Sequence, residues 1–246
     1  DLALSSGVEA LKDIWIHRPK GRPCLPAMLR VISGSLAKRF THFARWFVPE
    51  VSKPILEHLQ RELCAFVFWM AGWDENGHFT SEAHRNAVLR EIQLPVRKFG
   101  GLGLGFLPSI EAAFVSSWLA PAKTLAEVRG VDVEALLASW DQAHDEGQSV
   151  ALTFLFVSMS RLHTPATSCV ALWKGYCAAN KIEEAAAREL VPGEKLRVSW
   201  QEYLSQGVWE SVAETLQNGV HDLHPDLQAH EYFRLQARQL PYASWA

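Results

Sequence analysis

Four glycines fall within six residues near the middle of this 246-residue chain, at Gly100, Gly101, Gly103 and Gly105. Glycine adopts backbone conformations and allows close approaches that other residues resist, so such a run predicts an irregular loop. Apolar residues are interleaved with the glycines: Leu102, Leu104, Phe106 and Leu107. Because apolar side chains are driven out of water, we expect a buried packing loop over about residues 95–107, called the glycine loop below.

The segments on both sides of the glycine loop repeat apolar residues at helical spacing. Ile55, Leu59, Leu63 and Phe66 are one example, since they follow one another at intervals of three or four residues. No segment alternates apolar and polar residues convincingly over the length of a strand. We therefore predict an all-α fold, an irregular multi-helix array with the glycine loop near its centre.

Helix starts are predicted from capping side chains and from proline, which suits the first helical turn. The predicted starts are Ser52, Thr80 or Ser81, Pro121, Asp132, Ser149, Thr164-Pro165 and Ser205. Gly130 predicts the end of the helix that Pro121 begins, because glycine favours the left-handed C-terminal position.

The net charge of −3 conceals an uneven distribution. Between residues 18 and 53, eight basic residues are opposed only by Glu50, whereas the segment 127–146 is acidic. This asymmetry predicts a basic region over residues 1–120 and an acidic region over residues 121–246, or one continuous domain that carries both. Phosphates would bind only to the basic part.

Aromatic residues are interleaved with the cations of the basic region, at Phe40, His42, Phe43, Trp46 and Phe47. Cations that meet phosphates and rings that stack on bases are typical of nucleic-acid binding. A half-buried helix with one solvated face shows the same mixture. The nucleic-acid contacts that we predict are Arg18, Lys20, Arg22, Lys38, Arg39, Arg45 and Lys53.

Motifs of known enzyme classes are missing from the sequence. Phe106 stands where a dinucleotide-binding glycine motif needs its third glycine, and no Gly-Lys-Ser/Thr phosphate loop occurs. Arg234 replaces the second histidine of a zinc-protease motif after His230, and no Gly-x-Ser-x-Gly elbow is present. Asp141, His144 and Asp145 are explained by a helix end before a turn. We expect no catalytic residue, metal, cofactor or small-molecule substrate.

The four cysteines have no Cys-x-x-Cys spacing and sit among apolar residues, at Cys24, Cys64, Cys169 and Cys177. Such cysteines are typical of buried thiols in a reducing, intracellular compartment. The longest apolar runs, 64–73 and 150–159, are about half of the ~20 residues that a membrane span requires. We therefore expect no transmembrane segment.

The glycine loop also carries a family resemblance. Leu94-Pro95, a basic pair, Gly-Gly-Leu-Gly-Leu and a helix that closes on Ser117-Trp118 resemble the region after the polymerase core of non-LTR retrotransposon reverse transcriptases. Residues 29–49 resemble the thumb of these enzymes, and residues 195–204 and 235–245 resemble their later helices. The thumb holds the template–primer duplex, so the resemblance implies nucleic-acid contact. The family's Tyr/Phe-x-Asp-Asp metal-binding pair is absent from this chain.

The function that these observations favour is a non-catalytic, reverse-transcriptase-derived helical module. It would act as a structural and RNA-binding component of a larger assembly, with RNA and other protein subunits as partners. A ribonucleoprotein such as an organellar ribosome, mitochondrial for example, would suit it. One alternative is a piece of an active retroelement reverse transcriptase whose palm lies outside this chain. Another is a protein–protein scaffold, or an accessory subunit of an organellar membrane complex, without nucleic acid.

The tryptophans bear on the scaffold alternative. Trp118, Trp140 and Trp173 lie on apolar helical stripes, which predicts core positions. Trp15, Trp209 and Trp245 lie near ends or on mixed faces, which predicts looser positions that are suited to a protein partner.

Overall fold

The computed structural model describes residues 9–14, 16–17, 28, 32, 37–73, 79, 81–95, 101–180 and 198–219. These residues are mostly helical and contain no β-strand, which confirms the predicted all-α class. The helices are α1 (Ala37–Trp46), α2 (Pro49–Ala71), α3 (Glu82–Gln93), α4 (Ile110–Leu119), α5 (Ala122–Arg129), α6 (Val133–Asp145), α7 (Val150–Ser160), α8 (Cys169–Asn180) and α9 (Trp200–Gly219), with a 3₁₀ turn at Leu107–Ser109 before α4.

Several predicted helix ends are confirmed. Helix α5 begins directly after Pro121 and ends at Gly130, whose φ of 68° is left-handed. The Asp132 carboxylate accepts a hydrogen bond of 2.6 Å from the backbone N–H of Ala135 and so caps α6. Ser81 and Ser149 cap α3 and α7 in the same way. Local capping chemistry decides these boundaries.

Three predicted helix starts are wrong. Ser52 lies inside α2, which begins at Pro49, because a proline at the first position loses no intrahelical hydrogen bond. Ser205 lies inside α9, where its hydroxyl donates to the carbonyl of Gln201 at 2.6 Å. Helix α8 starts at Cys169 and not at Thr164, because the Ser168 hydroxyl caps it by accepting from the Ala171 N–H at 3.3 Å, and Asp141, a residue distant in sequence, accepts from the Cys169 N–H.

The chain forms two compact units that each combine separate segments. The first unit comprises Asp1–Thr41, Lys53–Leu107 and Trp209–Ala246, and the second comprises His42–Ser52 and Pro108–Val208. Helices α1, α2 and α9 therefore contribute residues to both units. The units follow packing, whereas the predicted regions 1–120 and 121–246 follow charge, so the two divisions describe different properties.

The core of the first unit is built on α2. This helix buries an apolar stripe, at Leu56, Leu59, Leu63, Val67 and Phe68. Helix α3 contributes Val88 and Ile92, and the glycine loop contributes Leu104 and Phe106. The recurrence of apolar residues every three or four positions along α2 explains why one face is buried.

Trp209 is a core residue of the first unit, so its predicted loose position is wrong. It is 8% exposed and packs in one cluster with Leu94 and Leu216. Because α9 runs through Ser205 without a break, Trp209 and Leu216 are two helical turns apart on one face. Because a helix start was predicted at Ser205, Trp209 was expected near a helix end and not on a buried face. Trp15 and Trp245 lie outside the described residues.

The core of the second unit is formed by α4, α6, α7 and α8 together with Trp200 and Leu204 of α9. Trp173 is buried in this core, and Trp118 and Trp140 are half-buried against it. The rings of Trp118 and Trp140 meet edge to face with centroids 6.1 Å apart, which is a favourable aromatic geometry. Trp173 is a core residue as the sequence predicts, whereas Trp118 and Trp140 lie at the border of the core.

Candidate functional site

The described part of the glycine loop folds back on the end of α3. Backbone N–H groups of Gly103, Leu104 and Gly105 donate to the carbonyls of Leu94, Ile92 and Gln93 at 2.8, 3.1 and 3.0 Å. The last carbonyls of a helix have no intrahelical partner, so the loop acts as a C-terminal cap for α3. These N–H groups face the chain's own carbonyls and therefore leave no cradle for a phosphate. Gly100 lies outside the described residues.

Two of the glycines are required by close contact and one by its dihedral angle. A β-carbon at Gly101 would collide with the carbonyl of Leu94, and one at Gly105 would collide with the carbonyl of Gln93. Gly103 has a φ of 68°, which is unfavourable for residues with a β-carbon. The described glycines thus serve backbone geometry.

A buried glutamine of α2 holds the exit of the glycine loop. The Gln60 side-chain oxygen accepts hydrogen bonds from the N–H groups of Phe106 and Leu107 at 3.1 and 3.3 Å. Gln60 is 5% exposed, so these bonds satisfy groups that water cannot reach. One turn further along α2, burial raises the pKa of the Cys64 thiol to about 11, and a hydrogen bond with Gln93 offsets part of that rise.

A second polar cluster joins α6 to α8. The Asp141 carboxylate accepts hydrogen bonds from the Ser168 hydroxyl and the Cys169 N–H, both at 2.7 Å, and from the Val170 N–H at 3.3 Å. These groups form the start of α8, so Asp141 caps a helix other than its own. Burial, together with the nearby Asp141 carboxylate, raises the pKa of the Cys169 thiol. The cluster is structural, since a protonated buried thiol is a poor nucleophile.

A cleft of about 870 Å³ lies between α5, α6 and α8. Trp173, Cys177 and several alanines line it, and charged residues surround its mouth. The Lys174 ammonium lies 2.8 Å from a Glu134 carboxylate oxygen, and the Lys123 ammonium lies 3.9 Å from a Glu127 carboxylate oxygen. The opposite charges at the mouth are therefore matched in pairs. Within the described residues, no group of three or more metal-ligating side chains is placed to hold an ion.

The structure places the predicted nucleic-acid contacts in different settings. Arg18, Lys20 and Arg22 lie outside the described residues, as do His221, His224 and His230. Lys38 and Arg39 belong to α1, but their side chains lie outside the described part. Lys53 is exposed on α2, where the neighbouring exposed Arg61 is offset by Glu57 and Glu62. The exposed face of α2 in the first unit therefore carries no excess of positive charge.

Arg45 differs from the other predicted contacts because it is half-buried and fixed. Its guanidinium Nη2 donates to the Gln201 side-chain oxygen at 2.5 Å. Its backbone carbonyl lies 2.9 Å from the Ser117 hydroxyl, whose single proton is shared with the Phe114 carbonyl at 2.6 Å. In the part of the chain that the structure describes, no carboxylate lies within salt-bridge distance of this guanidinium. Its Nε is enclosed and has no hydrogen-bond partner.

The position of Arg45 at the end of α1 explains how an unmatched charge is tolerated. Arg45 lies in the last turn of α1, where the unsatisfied carbonyls create partial negative charge. The Gln201 oxygen adds a neutral acceptor. Helix dipole and amide together stabilise the cation without neutralising it, so a positive charge is left at this edge of the second unit.

Exposed rings lie on both sides of Arg45 in the sequence. Trp46 follows Arg45 and is 81% exposed, and His42 is exposed one turn earlier. Phe47 is 45% exposed and packs on Phe43 with ring centroids 4.5 Å apart. The name Arg45 corner is used below for His42, Arg45, Trp46, Ser117 and Gln201, all of the second unit. An unmatched cation beside an exposed indole is the best candidate for a functional site among the described residues.

Sequence analysis did not identify the two supporting members of the Arg45 corner. Gln201 lies 156 residues from Arg45, and Ser117 lies 72 residues away. Neither residue belongs to a motif, and both sit in helical patterns that predict packing only. A local signal that would have identified them does not exist in the sequence.

No described helix is long and apolar enough to cross a membrane. Comparison of the chain with models of protein families, with curated proteins and with solved structures finds no match. The relationship to reverse transcriptases therefore stays a prediction from the sequence motifs.

Proposed function

We propose that this chain is a non-catalytic helical module, derived from the C-terminal region of a reverse transcriptase, that binds RNA as a structural component of a larger assembly. A ribonucleoprotein is the host that we favour, an organellar ribosome for example. The observation that carries the RNA-binding part is the Arg45 corner: Trp46 is 81% exposed, and the preceding residue, Arg45, has no carboxylate partner among the residues that the structure describes.

The chemistry of this corner suits RNA for two reasons. When a base stacks on a solvent-exposed aromatic ring, the binding free energy becomes more favourable by about 1–3 kcal/mol per base. A cation gains from phosphate contact because counterions are released from the nucleic acid. Lys38 and Arg39 precede the corner in the same helix, and they add positive charge to α1 at two further positions.

The test is binding of a fluorescein-labelled single-stranded RNA to the full chain, followed by fluorescence anisotropy over a range of salt concentrations. We expect binding that weakens as salt rises. Trp46→Ala should lower the affinity about tenfold, the loss that corresponds to one stacked base. Trp69→Ala is the matched control, because Trp69 is also exposed but lies on α2. Equal losses in the two variants, or no binding by the unaltered chain, would refute the proposal.

A second candidate function is protein binding, and a separate observation favours it. Phe47, Val51, Val150 and Phe154 are apolar residues of the second unit that are 45%, 52%, 74% and 38% exposed. An ion pair between Glu50 and Arg161 joins the start of α2, which carries Val51, to the end of α7, which carries Val150 and Phe154. Phe47 lies just before α2. Exposed apolar residues gathered on one unit are typical of a surface that binds a protein.

Native purification separates the two functions. Protein partners that stay bound at high salt, with no RNA present, would support the protein-binding surface. Partners or RNA that leave as salt rises would support the RNA-binding module, because phosphate contacts are weakened by salt whereas apolar contacts are not.

A further inference from the structure

The Arg45 guanidinium has hydrogen-bond donors that the protein does not use. A guanidinium carries five N–H donors in a planar fork, and one of them goes to Gln201. The enclosed Nε cannot meet a ligand, which leaves Nη1 and the second hydrogen of Nη2. Because Arg45 is half-buried and not enclosed, this edge can meet an anion from solvent. Phosphate oxygens fit such a fork with two parallel hydrogen bonds.

The fork is also held in one place. Gln201 of α9 fixes the side chain of Arg45, and the Ser117 hydroxyl of α4 contacts the backbone carbonyl of Arg45 while it also faces the Phe114 carbonyl. An arginine on a free surface loses side-chain entropy when it binds, but one that is already held loses less. Both anchors belong to helices, which fix a side chain more firmly than loops do.

The exposed rings near Arg45 in the sequence indicate which class of phosphate-bearing ligand would bind. Trp46 is the next residue and offers an exposed indole face, and His42 adds a second exposed ring one turn earlier. In a duplex the faces of the bases are covered by stacking, so a protein ring can meet them only in single strands, loops or ends. The Arg45 guanidinium and the exposed ring of the next residue therefore suit the phosphate and the base of an unpaired nucleotide.

We infer that the Arg45 guanidinium, held by Gln201 and followed in the chain by the exposed Trp46, binds one backbone phosphate of a single-stranded nucleic acid. This inference rests on the proposed RNA-binding function and narrows it to unpaired strands and to one phosphate position. Gln201 acts as a positioning residue, because it orients the guanidinium and leaves the contact with phosphate to Arg45.

The first test compares two arginines that occupy equivalent helix positions. Arg45 lies in the last turn of α1, and the exposed Arg129 lies in the last turn of α5. The full chain is titrated into a labelled twelve-nucleotide uridine RNA at several salt concentrations. We expect Arg45→Gln to weaken binding about tenfold and to reduce the salt slope by about 0.7, the value for one phosphate of a single strand. Arg129→Gln should change neither quantity.

Three further measurements test whether the Arg45 guanidinium itself meets a phosphate of the strand. Gln201→Ala should weaken binding less than Arg45→Gln does and should leave the salt slope near that of the unaltered chain, because the charge stays. A matched duplex RNA should bind more weakly than the single strand. Millimolar uridine monophosphate or inorganic phosphate should not displace the strand, whereas displacement would mean that Arg45 binds a free phosphate and would overturn the inference.

A chemical test covers the case in which Arg45→Gln fails to fold. Phenylglyoxal modifies accessible arginines, and mass spectrometry identifies which residues react. The uridine RNA should protect Arg45 of the unaltered chain and leave Arg129 reactive. Arg45 that reacts equally with and without RNA would overturn the inference.

The failure of the inference and the failure of the proposed function have different signatures. If Arg45→Gln folds and keeps both the affinity and the salt slope, while Trp46→Ala weakens binding, the phosphate contact lies elsewhere and the proposed function stands. If the unaltered chain binds neither single-stranded nor duplex RNA at low salt, the proposed function fails and the inference fails with it.

Discussion

The glycine loop and the Arg45 corner differ in how completely their polar groups are hydrogen-bonded. In the loop, donors meet acceptors of the same unit: three N–H groups meet the last carbonyls of α3, and two more meet Gln60. In the corner, the Arg45 guanidinium has one hydrogen bond and no carboxylate partner within the described residues, and the indole of the next residue, Trp46, is exposed to water. Matched groups stabilise a fold, whereas unmatched ones are retained at a cost and are therefore candidates for binding.

The largest effect that we expect is from Gly101→Val. The new side chain collides with the carbonyl of Leu94, so the loop must move and its hydrogen bonds with α3 must break. We expect the free energy of unfolding to fall by about 3–5 kcal/mol, the upper range for single substitutions. Thermal unfolding followed by circular dichroism measures it.

Gly130→Ala is the control for that substitution. Gly130 has the same left-handed conformation as Gly103, but a β-carbon there meets no atom. Only conformational strain remains, so the loss should be about 1–2 kcal/mol. Equal losses at Gly101 and Gly130 would contradict the claim that Gly101 is required by close contact.

The next prediction compares a glutamine at the glycine loop with a glutamine at the Arg45 corner. Gln60→Leu removes the acceptor that the N–H groups of the buried Phe106 and the half-buried Leu107 share, and the loss of a buried hydrogen bond costs about 1–3 kcal/mol. Gln201→Leu removes an acceptor from a half-buried guanidinium that can turn to water. We expect a loss below about 1 kcal/mol there. Urea unfolding of both variants checks the difference, and a reversed order would contradict it.

A smaller effect concerns pH in the first unit. Burial raises the pKa of Cys64 from 9.0 to about 11, so the folded chain keeps the thiol proton at pH values where the unfolded chain releases it. The contribution of Cys64 to stability is complete below pH 9 and is lost as the pH rises toward 11. Urea unfolding at pH 8, 9 and 10 measures this decline, which should be shallower in Cys64→Ala. Equal declines in both proteins would show that Cys64 is not its source.

The smallest effect on stability is expected at the Arg45 corner. Trp46 is 81% exposed, so Trp46→Ala removes almost no buried surface. The free energy of unfolding should change by less than about 0.5 kcal/mol, although the affinity for RNA falls. Trp173→Ala, in the core of the second unit, should by contrast cost about 3–5 kcal/mol. A large loss of stability in Trp46→Ala would mean that this indole serves packing.

Local chemistry made much of the fold predictable. Pro121, Gly130 and Asp132 bound helices where the sequence indicates, because a cap is a contact between residues a few positions apart. The start of α8 was predicted at Thr164-Pro165, whereas Ser168 caps the helix locally and Asp141 supports its first residues from another helix. Ser205 was misassigned because a serine hydroxyl can bond the carbonyl one turn before it as readily as it can cap a helix.

Only the α1 residues of the candidate site could be predicted from the sequence. Arg45, His42 and Trp46 follow from the mixture of cations and rings in the basic region. The anchors Gln201 and Ser117 come from chain segments that are brought together by packing, and spacing cannot reveal them. The exposure of Trp46 also depends on packing, since an aromatic residue in a helix is more often buried.

The carboxylate of Asp141 has a consequence for how α6 and α8 tolerate change. Because one side chain of α6 holds the first residues of α8, neither helix is an independent cassette. An alternative transcript or an engineered deletion that removed residues 133–145 would also leave the opening N–H groups of Cys169 and Val170 without their acceptor. A shortened version of this protein must therefore keep both α6 and α8 or remove both of them.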